Sequence, residues 1–219
     1  MEKKQALVIG LGQFGMAMAR TLDEVGVEVI AVDIEAAPVH QAASFAEQAV
    51  QIDATDEEAL ATLAPERREL CICGIGGDSR DAAILVTALL RQLGAKYVVA
   101  RASDRLLERI LGMVGAHEVV NPERAFGQRF ARRLVQADLV DEVPLGRDLV
   151  ISELRPRPSM VGRSLRELSL PKRFGITVLA LRQGADDVLL PDPDRPLRAQ
   201  DTLVVVARPG AMKRLDEAW

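Results

Sequence analysis

The chain has 219 residues, of which 48% are hydrophobic and 27% charged, with a net charge of −4. That length holds one large domain or two small ones, with a core of aliphatic side chains because aromatic residues make up only 3%. The mildly acidic balance gives no electrostatic reason to expect nucleic acid or an anionic membrane, and no apolar run approaches the ~18–20 residues of a membrane span.

Chemistry enters with the first predicted elements. The run Ala6-Leu-Val-Ile-Gly10-Leu-Gly12-Gln-Phe-Gly15 is a short apolar strand entering G-x-G-x-x-G, followed by a helix over Met16–Val25. Gly10 permits a tight turn, Gly12 lets the backbone approach a phosphate, and Gly15 allows close helix–strand contact. The helix start aims free N–H groups and the positive end of its dipole at such a ligand. Val27-Glu-Val-Ile-Ala-Val-Asp33 is a second strand with an acid at its tip, 23 residues after Gly10. That offset suits a carboxylate accepting hydrogen bonds from an adenosine ribose. A helix N-cap or turn acid is the plainer alternative for Asp33. Together the segments predict a bound adenine nucleotide.

The pattern then repeats. A helix over Ala37–Phe45 precedes a strand over Ala49–Asp53, and Ala54-Thr-Asp56 leads a helix over Glu57–Leu63 with Thr55 and Glu58 at capping-box spacing. Leu70-Cys-Ile-Cys-Gly74 is an apolar strand suited to a sheet covered on both faces. Asp78-Ser79 opens a helix to Leu93, Tyr97–Arg101 is a fifth strand, Ser103 or Asp104 caps a helix to Val114, and Glu118–Asn121 is a sixth strand. Alternation of this kind predicts a Rossmann-like, doubly wound parallel sheet. Its topology brings Gly12, Asp33, Asp53, Thr55, Gly74 and Gly76 to one crevice at the strand C-terminal ends. A helix over Glu123–Val140 carries Phe126, Phe130 and Leu134 on one stripe. Because the six-strand unit is already complete, this stripe is expected to pack on another subunit or the next domain.

Character changes after Asp141. Strands are predicted at Leu149–Arg155, Ile176–Arg182, Val188–Leu190 and Thr202–Ala207, with turns at 155–158, 183–186 and 191–194. A short helix in Val161–Leu168 is capped by Ser164 with Glu167 at N3, and a last helix runs Pro209–Trp219 with proline at N1. The division expected is residues 1–140, a Rossmann-like domain ending in the striped helix, and 141–219, a small α+β domain.

Reactive residues are few. His40 falls in a helix on the adenosine side and His117 in a turn, both read as solvated, while Tyr97 is placed inside a strand. The cysteines, Cys71 and Cys73, are expected on opposite faces of their strand and are read as buried, reduced thiols of a cytosolic protein. The early start of the first core strand leaves no room for a signal peptide. No metal cluster or serine elbow stands out, so the nucleotide reads as a ligand and the chain as a non-enzyme.

The glycine run Val8–Gly15, Ala31-Val-Asp33, Asp53-Ala-Thr55, Asn121-Pro-Glu123, Val161–Leu168, Arg173–Leu181, Pro191–Asp194 and Gln200–Val206 jointly resemble the KtrA/TrkA potassium-uptake regulatory subunits. The resemblance covers nearly the full length and implies an RCK N-domain, with a C-terminal dimerisation helix, followed by an RCK C-domain. It implies a cytoplasmic gating subunit that pairs into dimers and an octameric ring beneath a membrane potassium-translocating subunit of KtrB/TrkH type, peripheral to the inner face of the membrane. On the matching positions, Gly10, Gly12 and Gly15 hold phosphates with Gln13 and Phe14 beside them. Asp33 takes the ribose; Asp53, Ala54 and Thr55 lie at the adenine end; Gly74 and Arg101 border the nucleotide. Glu123 matches a position that binds a divalent or monovalent cation at the dimer interface, with a helix N-terminal acid as the alternative. Arg173 and Ile176 fall in the segment where some relatives bind cyclic di-AMP. Gln13 departs from the arginine common in relatives, which leaves the nucleotide open between ATP/ADP and NAD/NADH. The competing readings are a small NAD(P)-dependent oxidoreductase and a stand-alone NAD(H) sensor.

Overall fold

The computed structural model describes residues 3–77, 79–135, 138–146, 148–184 and 187–218, without the side chains of Lys213 and of residues 216–218. By its internal contacts the chain divides into two compact units, Met1–Ala125 and Phe126–Trp219. Each is built on its own sheet.

The first unit alternates strand and helix: β1 (Gln5–Ile9), α1 (Gln13–Glu24), β2 (Glu28–Asp33), α2 (Ala36–Ala42), β3 (Gln48–Gln51), α3 (Glu57–Ala61), β4 (Leu70–Cys73), α4 (Arg80–Gln92), β5 (Val98–Arg101), α5 (Arg105–Met113) and β6 (Glu118–Val120). The six strands run parallel in the order β3-β2-β1-β4-β5-β6. This order reverses direction beside β1, the point where open sheets of this kind leave a crevice. β1, β2, β4 and β5 are apolar along most of their length because helices cover both faces. One face buries Leu7, Ile9, Val32, Cys71 and Cys73; the other buries Val8, Ala31, Ile72 and Val99.

Several sequence expectations are corrected here. Cys71 and Cys73 share a face, since residues two apart in a strand point the same way; they remain free, buried thiols. Thr55 does not cap α3. Asp56 does, its carboxylate accepting from the Glu58 and Ala59 N–H groups, because it is the residue immediately before the first turn. Asp104, not Ser103, caps α5. Tyr97 lies one residue outside β5, exposed and stacked on His117. Of the expected helix opening at Asp78-Ser79, Asp78 lies outside the described residues; α4 begins at Arg80.

α6 (Pro122–Val135) contains the division between the units and buries none of its residues. It is shorter than the expected Glu123–Val140 helix, because β7 (Leu139–Leu145) takes up the chain beyond it. Its first turn is held by Asn121, whose side-chain oxygen accepts the Arg124 N–H at 2.8 Å, and by the Arg124–Glu108 ion pair at 2.8 Å.

In the second unit β7, β8 (Leu149–Leu154), β9 (Thr177–Gln183), β10 (Asp187–Leu189) and β11 (Asp201–Ala207) form an antiparallel sheet in the order β10-β9-β11-β8-β7. α7 (Leu165–Leu168) carries the expected capping box: Ser164 accepts the Glu167 N–H and Glu167 accepts the Ser164 N–H. α8 (Leu170–Phe174), which the sequence did not signal, follows at once and packs Leu170 and Phe174 inward. The last helix, α9 (Ala211–Ala218), starts two residues after Pro209, which therefore stands in a turn and not at N1. Trp219 and the Ala185-Asp186 part of the expected turn lie outside the described residues.

Candidate functional site

A cleft of about 590 Å³ opens at the C-terminal ends of the parallel strands. It falls in the size range of small-molecule sites. Its floor is glycine against glycine. Gly10, with φ +86°, makes the turn out of β1 and donates its N–H to Val32 O at 2.8 Å. A Cβ on Gly15 would lie 1.8 Å from Gly10 O, and one on Gly74 would lie 2.9 Å from the same oxygen. α1 can therefore approach β1 only through glycine, which is the contact the sequence assigned to Gly15. Gly12 faces open space, leaving its backbone free at the first turn of α1.

Asp33 ends β2 and is fixed from two sides: its Oδ2 accepts the Leu11 N–H at 2.5 Å and its Oδ1 accepts the Glu35 N–H at 2.9 Å. One carboxylate thus joins the glycine turn to the loop after β2. Asp53 follows β3 and accepts both the Thr55 N–H (2.9 Å) and the Thr55 hydroxyl (2.6 Å) on Oδ1. Those two bonds hold its carboxyl below the usual range, so it stays ionised at neutral pH.

Arg101 ends β5. Its Nη2 donates to Glu123 Oε1, and its guanidinium lies 5.9 Å from the centre of the Phe14 ring. Gly76 presses against it: a Cβ there would be 2.5 Å from Nη1. The Arg101 Nε is buried without a hydrogen-bond partner. Glu123, at the second position of α6, is held below the ordinary carboxylate range chiefly by its own backbone N–H; burial opposes this, and Arg101 adds to the lowering.

The cleft is lined by Gly10, Gly12, Asp33, Asp53, Ala54 and Thr55, and also by Gly74 and Arg101. Gln13, Phe14 and Gly15 are not among its lining residues; they sit on α1, with Gly15 buried beneath the turn and Gln13 exposed. The sequence reading missed Ile34, Glu35, Pro38, Ile52 and Ile75, which also line it. Ile34 and Ile52 follow strand ends directly, so their place was implicit in the topology. Among the described residues, no group of three or more His, Cys, Asp or Glu is arranged to hold a metal ion. His40 lies on α2; His117 accepts the Val98 N–H on Nδ1 and faces Arg91 Nη1 across 3.2 Å at Nε2. In the second unit Ile176 is fully buried, Arg173 lies over the Phe174 ring, and neither lines that unit's own cavity of about 440 Å³.

A parallel sheet of this order with a glycine turn, an acid at the tip of β2, and a separate antiparallel α+β unit defines the class: a TrkA-N domain followed by a TrkA-C domain. The family comparisons agree, matching TrkA-N over residues 6–122 and TrkA-C over residues 149–218. The chain belongs to the KtrA-type potassium uptake proteins. It is 36% identical to Ktr system potassium uptake protein A of Vibrio alginolyticus over 203 residues, 93% of this chain and 92% of that one. It is 31% identical to Ktr system potassium uptake protein C of Bacillus subtilis over 215 residues, 98% and 97% of the two chains. Among solved structures, the GsuK RCK domain aligns with a TM-score of 0.67 at 18% identity, over 99% of this chain and 47% of that one. The GsuK channel bound to NAD aligns at 0.53 and 21% identity, over 99% and 38%. These likenesses establish the RCK-type fold.

Proposed function

We propose that this protein is the nucleotide-sensing, non-enzymatic regulatory subunit of a potassium uptake system, acting on a membrane translocating subunit from the cytoplasmic side. The observation that carries the reading is what one cleft brings together. The Asp33 carboxylate fixed on the glycine turn, the open first turn of α1 and the Arg101 guanidinium all border it. A carboxylate there accepts ribose hydroxyls, while N–H groups and a guanidinium take phosphates. Asp53, Ala54 and Thr55 border the adenine. Glu123 is the residue we assign to an interfacial cation, in exchange with its present partner Arg101.

We draw the functional boundary at 140/141, beyond the contact division at 125/126, so that α6 serves as the dimerisation helix of the N-domain. Its stripe supports this: Phe126, Phe130 and Leu134 are 68%, 37% and 69% exposed in the single chain. A second copy covering them is the first step toward a ring. Regulation then follows from population shift, since ligands that differ at the phosphate end favour different dimer shapes. Among adenine nucleotides, ATP, ADP and NAD(H) remain the candidates. The bound NAD of the GsuK channel structure supports including the last. In the C-domain, Arg173 is the side chain suited to a cyclic di-AMP phosphate; Ile176 is inside the core and contributes only by packing.

The reading is tested by titrating the purified protein with ATP, ADP and NAD by calorimetry, and by potassium flux with the reconstituted membrane partner. Asp33→Ala should weaken nucleotide binding by about tenfold or more, the scale of hydrogen bonds to a charged group. Phe130→Asp should abolish dimers in light scattering. Unchanged affinity in the first variant removes Asp33 from the site; a monomeric wild type removes the ring. Hydride turnover with NAD(H) would promote the oxidoreductase instead.

A further inference from the structure

We propose that the Arg101–Glu123 pair is an exchange element: Glu123 occupies Arg101 when the cleft is empty, and the phosphates of an entering adenosine di- or triphosphate take Arg101 from it. The proposal rests on the nucleotide reading of the cleft and adds to it a competing internal anion.

The geometry has four parts. Arg101 lines the cleft, while Glu123 lies on α6, outside the cleft lining. The guanidinium is seated on Phe14 and against Gly76, a place that exists only because residue 76 has no side chain. Its Nη2 is given to Glu123 while its buried Nε has no acceptor. Finally, the two partners differ in exposure: the Arg101 side chain is 19% exposed and that of Glu123 58%.

A buried guanidinium N–H without an acceptor is costly, so the present arrangement leaves Arg101 incompletely satisfied. Its ion pair is with a carboxylate mostly in water, and such pairs shift an equilibrium by no more than about fivefold. A phosphate chain offers several oxygens to the planar fork and carries more charge. Phosphate therefore wins. Glu123 loses little on release, because its own backbone N–H and the start of α6 already favour its charge. Filling of the cleft is thereby reported at the first turn of α6. By reciprocity, whatever engages Glu123 elsewhere must strengthen phosphate binding at Arg101.

The test is a calorimetric cycle on the full chain in EDTA, with ADP and adenosine as the two probes. Glu123→Gln removes the competitor and should tighten ADP by about two- to fivefold, leaving adenosine unchanged. Arg101→Met should weaken ADP by about tenfold or more. The double variant should match Arg101→Met, since Glu123 then has nothing to compete for. Gly76→Ala, which crowds the guanidinium, should weaken ADP but not adenosine. ADP binding that is unchanged or weaker in Glu123→Gln, or a gain that survives in the double variant, overturns the exchange while leaving the nucleotide reading intact. Failure of the wild type to bind ADP overturns that reading, and the exchange with it.

Discussion

The two sheets bury their strands in different ways. In the parallel sheet the strands are covered on both faces: Ala6 to Ile9 are all buried, as are Val29 to Val32. In the antiparallel sheet β11 alternates, with Leu203, Val205 and Ala207 inside and Val204 and Val206 half-buried between them. A strand covered twice spends all its side chains on packing, so its chemistry must sit where it ends. Hence Gly10, Asp33, Gly74 and Arg101 are all at or just beyond strand C-terminal ends. A strand covered once keeps a free row, and the second unit fills part of its row with charge pairs such as Arg182–Glu153 at 2.5 Å. The first unit thus gathers its polar groups around a cleft at the strand ends, and the second has a sheet face to spare.

The largest effect should come from breaking the first arrangement at its tightest point. Gly15→Val puts a side chain into Gly10 O and should cost about 3 kcal/mol or more. Hydrogen exchange should show protection lost in β1, β2 and α1 but retained in β8 and β11. Loss in both units alike would mean that they do not unfold separately.

A smaller but still large cost is expected at Asp201, whose side chain has no exposure and accepts from Arg195, Gln183 and the Arg198 N–H. Asp201→Ala leaves Arg195 without its carboxylate and should cost about 2–4 kcal/mol in urea denaturation. Burial pushes this carboxyl up, yet the three donors together hold it below the ordinary range. Its contribution is therefore complete above the unfolded carboxylate pKa near 3.8 and fades as pH falls through the lowered folded value. The variant should flatten the acid limb of stability; an unaltered limb would deny Asp201 that role.

The alternation itself is tested by a neighbouring pair. Val205→Ala, inside, should cost about 1.5–2.5 kcal/mol, whereas Val204→Ala, on the half-buried row, should stay within about 0.5. A large, concentration-dependent cost for Val204→Ala would show that a second copy covers that face. Ser164→Ala, which removes half of a capping box, should cost about 1 kcal/mol.

The least effect at neutral pH concerns the thiols. Burial raises Cys71 to about 12 and Cys73 to about 11, from an ordinary value of 9.0. A raised thiol favours the protonated folded form, so the contribution is whole below pH 9.0 and is lost as pH climbs toward 11–12. Neither should react with a disulfide reagent at pH 8 unless the chain is unfolded. Rapid labelling of the native protein would show that the parallel sheet opens locally.

The primary sequence determined the alternation of strands and helices in the first unit, the glycine turn, the acid at the tip of β2 and the change to an α+β architecture in the second part of the chain. Each is written locally, in periodicity and in residues with special backbone freedom or hydrogen-bonding reach. Its boundaries erred where two local signals competed. Thr55 stands at capping-box spacing from Glu58 with Asp56 beside it, and only the backbone geometry selected Asp56 as the cap and turned Thr55 back onto Asp53. α6 was overextended because nothing in a helical pattern announces that the following residues will be claimed by a strand partner such as β8. Only the tertiary structure joined residues far apart in the chain: Asp33 with the Leu11 N–H, Gly15 and Gly74 with one oxygen of Gly10, and Arg101 with Glu123, Phe14 and Gly76. Those contacts depend on the distance and direction set by strand register and helix approach, which no pattern of residue types along the chain contains.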